Sequence, residues 1–468
     1  MPVQRPFSAT SRFKRVSRAL VGLAVLAVAN AGGPAAAQEF AEGTLLSDTE
    51  IGMTLAAFGK PIFTAGGLDA SQIQLHMVVD DSINAFATRG NNMFLHTGLL
   101  LKSRNSSEVI GVMAHEAGHI AGGHTIVTSQ DVMGPNTISL LSTLLGIAAG
   151  VATGKPDLGM AIMMGGQRAA IGQYLTFSRG VESQADQFAL KALQGSHQSA
   201  KGFYDFFGRL QAEEALYTAN QDPYVRSHPI TRDRMDSVLT SMEASPYTNQ
   251  PPDPELERQY RRMVAKLYAF LKPQIATLQK YPEKDTSVEA RYARVIAYYR
   301  RSQFDKAMPL VDGLLAEMPK DPFFWQIKGD MLLSRSKTEP AIEAYREALK
   351  VLPNATEIIV AMAHAMVESR ENHAADAQAA LKHALAIDAE NPEAWDLLAT
   401  AYNRDNDPGM SAYAAAERAI LTGQFGDVAR YSNQAEKLLE KDTPTWYRLQ
   451  DIKVVAQNAL RDMKDRRR

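Results

Sequence analysis

The sequence predicts a mainly α protein of α+β class, in which a mixed domain with a small β-hairpin precedes an all-α solenoid. Three observations carry this expectation. Short apolar runs flank a turn signal at Arg89-Gly90-Asn91-Asn92. Residues 109–124 (VIGVMAHEAGHIAGGH) form an apolar, helix-period stretch with paired histidines. In the second half, large, small and helix-ending residues recur every 34 positions. The 468 residues leave room for two to four domains. A 45% hydrophobic and 22% charged composition is that of a folded chain. Fifty basic against 52 acidic residues create no bulk field for nucleic acid, so none is expected as a partner. The absence of cysteine excludes disulfides, thiolate metal sites and a cysteine nucleophile.

Residues 1–37 read as a cleaved export signal. Arg5, Arg12, Lys14, Arg15 and Arg18 form a basic start without an acid. Residues 19–28 are apolar but shorter than the ~20 residues that span a bilayer. Ala35-Ala36-Ala37 then supplies an A-x-A cleavage box. Cleavage after Ala37 removes five basic residues and leaves 45 basic against 52 acidic, a charge of −7. The expected location is the periplasm.

Residues 38–255 are expected to form the mixed domain. Residues 74–79 (QLHMVV) alternate weakly and suit a strand. Residues 84–95 read as two short strands around the Gly-Asn turn. Helices dominate afterwards. The polar, proline-rich stretch 248–254 (TNQPPDP) is the candidate linker.

The segment 109–124 contains His115-Glu116-Ala117-Gly118-His119, an H-E-x-x-H motif. Residues i and i+4 share one helix face, so both imidazoles can reach one zinc ion while Glu116 projects beside them. Ser106 and Ser107 are candidate N-caps, and Val109, Ile110, Val112 and Met113 make the helix a buried one. Burying His-Glu-His without a metal would leave several polar groups short of partners. A catalytic zinc needs a third protein ligand. His124 follows His119 by five residues, one short of the metzincin spacing. Glu182 is the better candidate, because Glu182 and Asp186 again stand at i and i+4. One carboxylate can bind metal while the other orients a ligand histidine. Residues 138–152 (ISLLSTLLGIAAGVA) are apolar but too short to span a bilayer. They read either as part of a core helix pair or as a mobile lid or membrane-contacting loop over the zinc cleft.

Residues 256–468 are expected to be all-helical tetratricopeptide (TPR) hairpins. Trp325, Gly329, Ala341, Tyr345, Ala348 and Pro353 occupy the large, small and terminating positions. Ala307 to Ala341 and Pro319 to Pro353 are each 34 residues apart. Trp325 lies six residues after Pro319 and Trp395 six after Ala389, with a small insertion between these repeats. Gly423, Phe425, Ala429 and Ala435 outline one more hairpin. Such a stack leaves a concave groove that binds protein segments.

Together HEAGH, the later Ser178-Arg179-x-x-Glu182-x-x-Ala185-Asp186, and Ser227-His228-Pro229 resemble the HtpX and CAAX-prenyl-endopeptidase family of zinc metallopeptidases, which are gluzincins. Asn84-Ala85-Phe86-Ala87 and Gly98-Leu99-Leu100 are similar to that family's pattern upstream of the zinc helix. The resemblance implies a gluzincin-type domain with one zinc per chain on His115, His119 and Glu182. It implies Glu116 as general base to a zinc-activated water, and Asp186 behind the ligands. It singles out His228, either as a fourth zinc ligand that holds the enzyme inactive or as a donor to the oxyanion. Arg179, Arg232 and Arg234 are expected in structural ion pairs. With export and TPR repeats added, the resemblance implies an endopeptidase for quality control and assembly of outer-membrane proteins. Its substrates would be misfolded or assembling envelope proteins, and its TPR groove would meet the assembly machinery. The second reading is a TPR chaperone or adaptor of that machinery, with proteolysis secondary.

Overall fold

A computed structural model describes residues 42–124, 179–216 and 223–465. The expected export signal, the apolar stretch 138–152 and the side chain of Arg179 lie outside the described residues.

The chain enters with β1 (Leu45–Leu46) and α1 (Thr49–Ala65), capped by the Asp48 side chain on the amide of Ile51. Strand β2 is Gln74–Val78, as expected to within a residue. The expected hairpin is present as β3 (Ala85–Thr88) and β4 (Asn92–His96), paired antiparallel with Thr88 opposite Asn92 and Ala85 opposite Leu95. Gly90 and Asn91 have φ of 83° and 60°, a left-handed pair that these two residue types tolerate best. Asn92, counted in the turn from sequence, belongs to the strand. The sheet order is β1-β2-β4-β3, and β2 runs parallel to β4. This places β3 at the edge, against the motif helix.

After α2 (Thr97–Lys102), α3 (Ser106–Ala121) carries the H-E-x-x-H motif. Its cap is Asn105, whose side chain accepts from the Glu108 amide at 3.0 Å, and not Ser106 or Ser107. Ser106 is already helical, and its amide and hydroxyl both donate to Glu257. Val109, Ile110, Val112 and Met113 are buried as expected. Then come α4 (Arg179–Gly195), α5 (Lys201–Leu216), α6 (Pro223–Ser227) and α7 (Arg232–Ala244). Helix α3 meets α4 and α5 through glycines. A Cβ on Gly118 would stand 2.7 Å from the Cα of Ala185, and one on Gly111 would stand 2.6 Å from the Cβ of Phe203. These approaches are possible only without side chains.

Helix α8 (Pro254–Leu271) follows the proline-rich stretch, capped by Asp253. Its Tyr260, Met263, Val264 and Leu267 enter the same core as α1, α3 and α5. The Tyr260 hydroxyl donates to the carbonyls of Leu100 and Ser103. On its other side, Ala265 and Ala269 pack with the next helices. These are α9 (Gln274–Lys280), α10 (Val288–Tyr299), α11 (Phe304–Glu317), α12 (Pro322–Leu333) and α13 (Thr338–Val351). The series continues with α14 (Thr356–Glu368), α15 (Ala374–Ile387), α16 (Pro392–Arg404), α17 (Pro408–Leu421), α18 (Phe425–Glu436) and α19 (Pro444–Asp465).

The repeat residues do what their spacing predicts. Gly329 lets the Tyr345 ring lie against α12, where a Cβ would meet it at 2.6 Å. Ala341, Tyr345 and Ala348 are fully buried. Trp325 and Trp395 each turn the indole N–H back to the carbonyl six residues earlier, Pro319 at 2.8 Å and Ala389 at 3.0 Å. The insertion falls in α14 and the turn after it: α13 starts 16 residues after α12 starts, whereas α15 starts 18 after α14. Gly423 (φ 69°) turns the chain into the final hairpin.

The start of α1 is joined to the solenoid by a cluster of charge. The Thr49 amide and hydroxyl donate to Glu357 at 2.8 and 2.9 Å. Lys266 reaches Asp48 at 2.6 Å and Glu50 at 3.1 Å, while Arg262 pairs with Glu50 and Asp321. Among the described residues no helix is long and apolar enough to cross a membrane.

Candidate metal centre

One helical turn on α3 stacks His115 above His119, both fully buried. Helix α4, held close by Gly118, brings Glu182 and Asp186 to the same face. The residue after α6 is His228. Four donors converge: His115, His119, Glu182 and His228 each offer an atom within 4.8 Å of the others. The Nε2 atoms of His115 and His119 are 3.2 Å apart. The Nδ1 atom of His228 is 3.4 Å from His115 Nε2 and 3.1 Å from a Glu182 oxygen. Glu182 lies 3.4 Å from His115 Nε2 and 3.5 Å from His119 Nε2.

These separations can be tested against a metal. Donors ~2.0–2.1 Å from one tetrahedral ion stand ~3.4 Å apart. The five distances cluster about that value. Three imidazoles and one carboxylate are also a donor set that a divalent metal such as zinc takes. The residues present therefore fit a divalent metal.

The surrounding groups fix this arrangement. Asp186 stands 2.9 Å from Nδ1 of His115, the ring atom facing away from the cluster. Arg234, on α7, grips Asp186 with Nε at 2.7 Å and Nη2 at 2.8 Å, and reaches Glu182 with Nη1 at 2.8 Å. Its guanidinium lies over the Phe207 ring at 5.1 Å. The structural ion pair expected of Arg234 is present.

The charge states follow from this packing. Burial opposes charge on His115, but the carboxylates of Asp186 and Glu182 overcome it and push its pKa up to about 9. His119 moves the other way, held well below its ordinary value by burial and by the charges of His115 and His228. Burial works against the Glu182 carboxylate, yet His228 and His115 hold its pKa far below the ordinary range. Asp186 is likewise lowered, with burial outweighed by Arg234 and His115. Glu116 differs: burial pushes its carboxyl up. Its nearest basic partner is His228 Nε2 at 3.6 Å.

All six residues singled out from sequence, His115, Glu116, His119, Glu182, Asp186 and His228, meet here. His124 stays apart, its ring 5.7 Å from that of His119 and outside the donor group. Two features were missed. One is the hold of Arg234 on Glu182 as well as Asp186. The other is Tyr224, whose ring lies 4.8 Å from that of His228. Its position one helical turn before His228 was the available signal.

The donors could hold a metal, and the similarities to known proteins make the chain a metalloprotease. Residues 54–241 match the model of peptidase family M48, and residues 301–411 match a tetratricopeptide repeat. The chain is a metalloprotease with an M48 domain followed by TPR repeats. Among relatives, the β-barrel assembly-enhancing protease of Yersinia pestis is 24% identical over 394 residues, 82% of this chain and 79% of that protein. The β-barrel assembly-enhancing protease of Escherichia coli K12 is 22% identical over 386 residues, covering 81% and 78%. A Vibrio cholerae serotype O1 protein provisionally given the same name is 27% identical over 374 residues, covering 78% and 75%.

Proposed function

We propose that this chain is a periplasmic, zinc-dependent endopeptidase acting in quality control and assembly of outer-membrane proteins. The observation that carries the catalytic part is the buried quartet of donors with near-tetrahedral spacing, set beside a buried glutamate. The relatives' shared name and the export signal expected from the sequence support the cellular part. We divide the chain into a signal at 1–37, a peptidase domain at 38–255 and a TPR domain at 256–468, with α8 packed against both.

In this reading His115, His119 and Glu182 hold one zinc per chain, a donor set that suits zinc. Zinc, when bound, supplies Lewis-acid polarisation of the attacking water and the scissile carbonyl. Glu116 accepts a proton from that water and delivers it to the leaving nitrogen, and its raised proton affinity suits both steps. Asp186 orients His115 through Nδ1, and Arg234 keeps Asp186 in place. His228 is a fourth protein donor in this arrangement. Closed four-ligand sites are structural, whereas catalytic ones keep a position open. His228 therefore holds the enzyme inactive until it withdraws.

The TPR repeats favour a second reading, an adaptor of the outer-membrane assembly machinery whose proteolysis is secondary. One experiment separates them: zinc content and casein cleavage for wild type, Glu116→Gln and His228→Ala. The peptidase reading expects one zinc in each form, no cleavage by Glu116→Gln, and faster cleavage by His228→Ala. Zinc without cleavage in any form would favour the adaptor. A slower His228→Ala would make His228 catalytic.

A further inference from the structure

Among the described residues, the buried hydroxyl of Tyr224, beside the centre, has no hydrogen-bond partner. Tyr224 and Glu116 are both fully buried. The hydroxyl needs its own explanation, because a buried donor without an acceptor is costly and rare in a native fold.

Packing explains the ring of Tyr224 and not its oxygen. The ring is tilted against His228 at 4.8 Å, with Phe206 at 6.1 Å, Phe207 at 6.3 Å and His115 at 6.5 Å. Phenylalanine would fill the same space without stranding a hydroxyl. A phenol keeps its proton throughout the neutral range, so the group is a donor.

We propose that the Tyr224 hydroxyl donates a hydrogen bond to the scissile carbonyl oxygen of the substrate, and is a catalytic residue of this centre. The assignment rests on the peptidase reading above. Peptide hydrolysis creates two needs at once. The water must lose a proton, and the carbonyl oxygen must take up negative charge as the C–O bond forms. Glu116 meets the first need. A fixed hydroxyl in a dry site meets the second, without reorganisation when the charge appears. The C–N bond then breaks as Glu116 passes its proton to the nitrogen. Tyr224 keeps its own proton throughout, so one water is consumed and one carboxyl and one amine are formed.

The chain geometry ties this donor to His228. Both sit on one turn: the His228 amide donates to the Tyr224 carbonyl at 2.8 Å, and the two rings lie against each other. Withdrawal of His228 would uncover the phenol, so the step that opens the metal's fourth position also presents the donor.

The test is Tyr224→Phe in the full mature chain carrying His228→Ala, compared with the His228→Ala parent. Zinc content, melting temperature, and kcat and KM on a fluorogenic casein-derived peptide are measured. The expected result is unchanged zinc, an equal or higher melting temperature, and a kcat reduced ~10²–10³-fold with KM little altered. A peptide phosphonamidate, which carries the developing oxyanion, loses affinity in parallel with kcat/KM. A simple thiol that binds only the metal does not. A merely structural tyrosine would move neither kcat nor this difference between inhibitors. Parental kcat in Tyr224→Phe overturns the proposal while leaving the peptidase reading intact. A parent whose cleavage survives Glu116→Gln, or that does not cleave at all, overturns both.

Discussion

Arg234 and Asp186 form a two-bond fork buried beside the metal centre, 2.7 Å from Nε to one carboxylate oxygen and 2.8 Å from Nη2 to the other. The same carboxylate stands 2.9 Å from Nδ1 of His115. The fork thus fixes the ring whose opposite nitrogen faces the donors. Neutralising Asp186 with Asp186→Asn should lower metal affinity ~10–100-fold with the fold retained, as read by chelator competition. Removing the cation with Arg234→Met leaves Glu182 and Asp186 without their buried partner. It should cost about 3–5 kcal/mol in denaturant unfolding. Wild-type metal affinity in Asp186→Asn would detach Asp186 from the centre.

Gly118 sets the distance between the two helices that carry the proposed ligands. A Cβ there would stand 2.7 Å from the Cα and 2.8 Å from the carbonyl oxygen of Ala185, and backbone cannot move aside as a side chain can. Gly118→Ala should therefore spread α3 from α4, widen the gap from His119 to Glu182, and weaken metal binding. The overpacking should also destabilise the domain by about 1–3 kcal/mol. Gly52, on α1, has nothing within 4 Å of its Cβ position. Gly52→Ala is the control, with stability unchanged or higher by ~0.5–1 kcal/mol. Equal unfolding curves and metal affinities for both variants would contradict the helix-spacing account.

Glu357 joins the solenoid to the first helix by accepting from Thr49, and its pKa is pushed up to about 7. Burial is the main cause, and the neighbouring charge of Asp48 adds to it against the pull of Lys266. The ordinary value is 4.5. Between these values the folded chain holds the proton that the unfolded chain has lost. Glu357's contribution to stability is thus complete below about pH 4.5, falls as pH rises, and is gone above about 7. Thermal melts of Glu357→Gln should show a flatter dependence than wild type between pH 5 and 8, the wild type losing ground as pH rises. Parallel profiles would exclude this linkage.

The motif residues were legible because their chemistry needs fixed local spacing. H-E-x-x-H and E-x-x-x-D are i, i+4 pairs, and one helix turn delivers each pair whatever the rest of the chain does. The hairpin was legible because Gly90 and Asn91 supply two left-handed residues in succession. The 34-residue recurrence placed Trp325, Gly329 and Tyr345 because each hairpin packs only on its neighbours. What escaped was non-local. Strand β1 is two residues long, too short to show a period, and the parallel pairing of β2 with β4 depends on a chain path that skips one strand. Asn105 took the cap from Ser106 because the helix begins three residues before its apolar run, which starts at Val109. The sharing of α8 between two cores depends on Tyr260 reaching Leu100 across 160 positions. Arg234 could be read as an ion-pair residue, yet its two partners lie 48 and 52 positions away and are identified only by the fold.

The central claim is that a metal held by His115, His119 and Glu182 performs peptide hydrolysis. It is tested most directly by following zinc content and casein cleavage in one preparation of residues 38–468, first as purified, then after chelation, then after zinc is returned. The account predicts one zinc per chain at the start, cleavage that disappears with the metal, and cleavage that returns with it. Undiminished cleavage by the chelated, metal-free chain would contradict it.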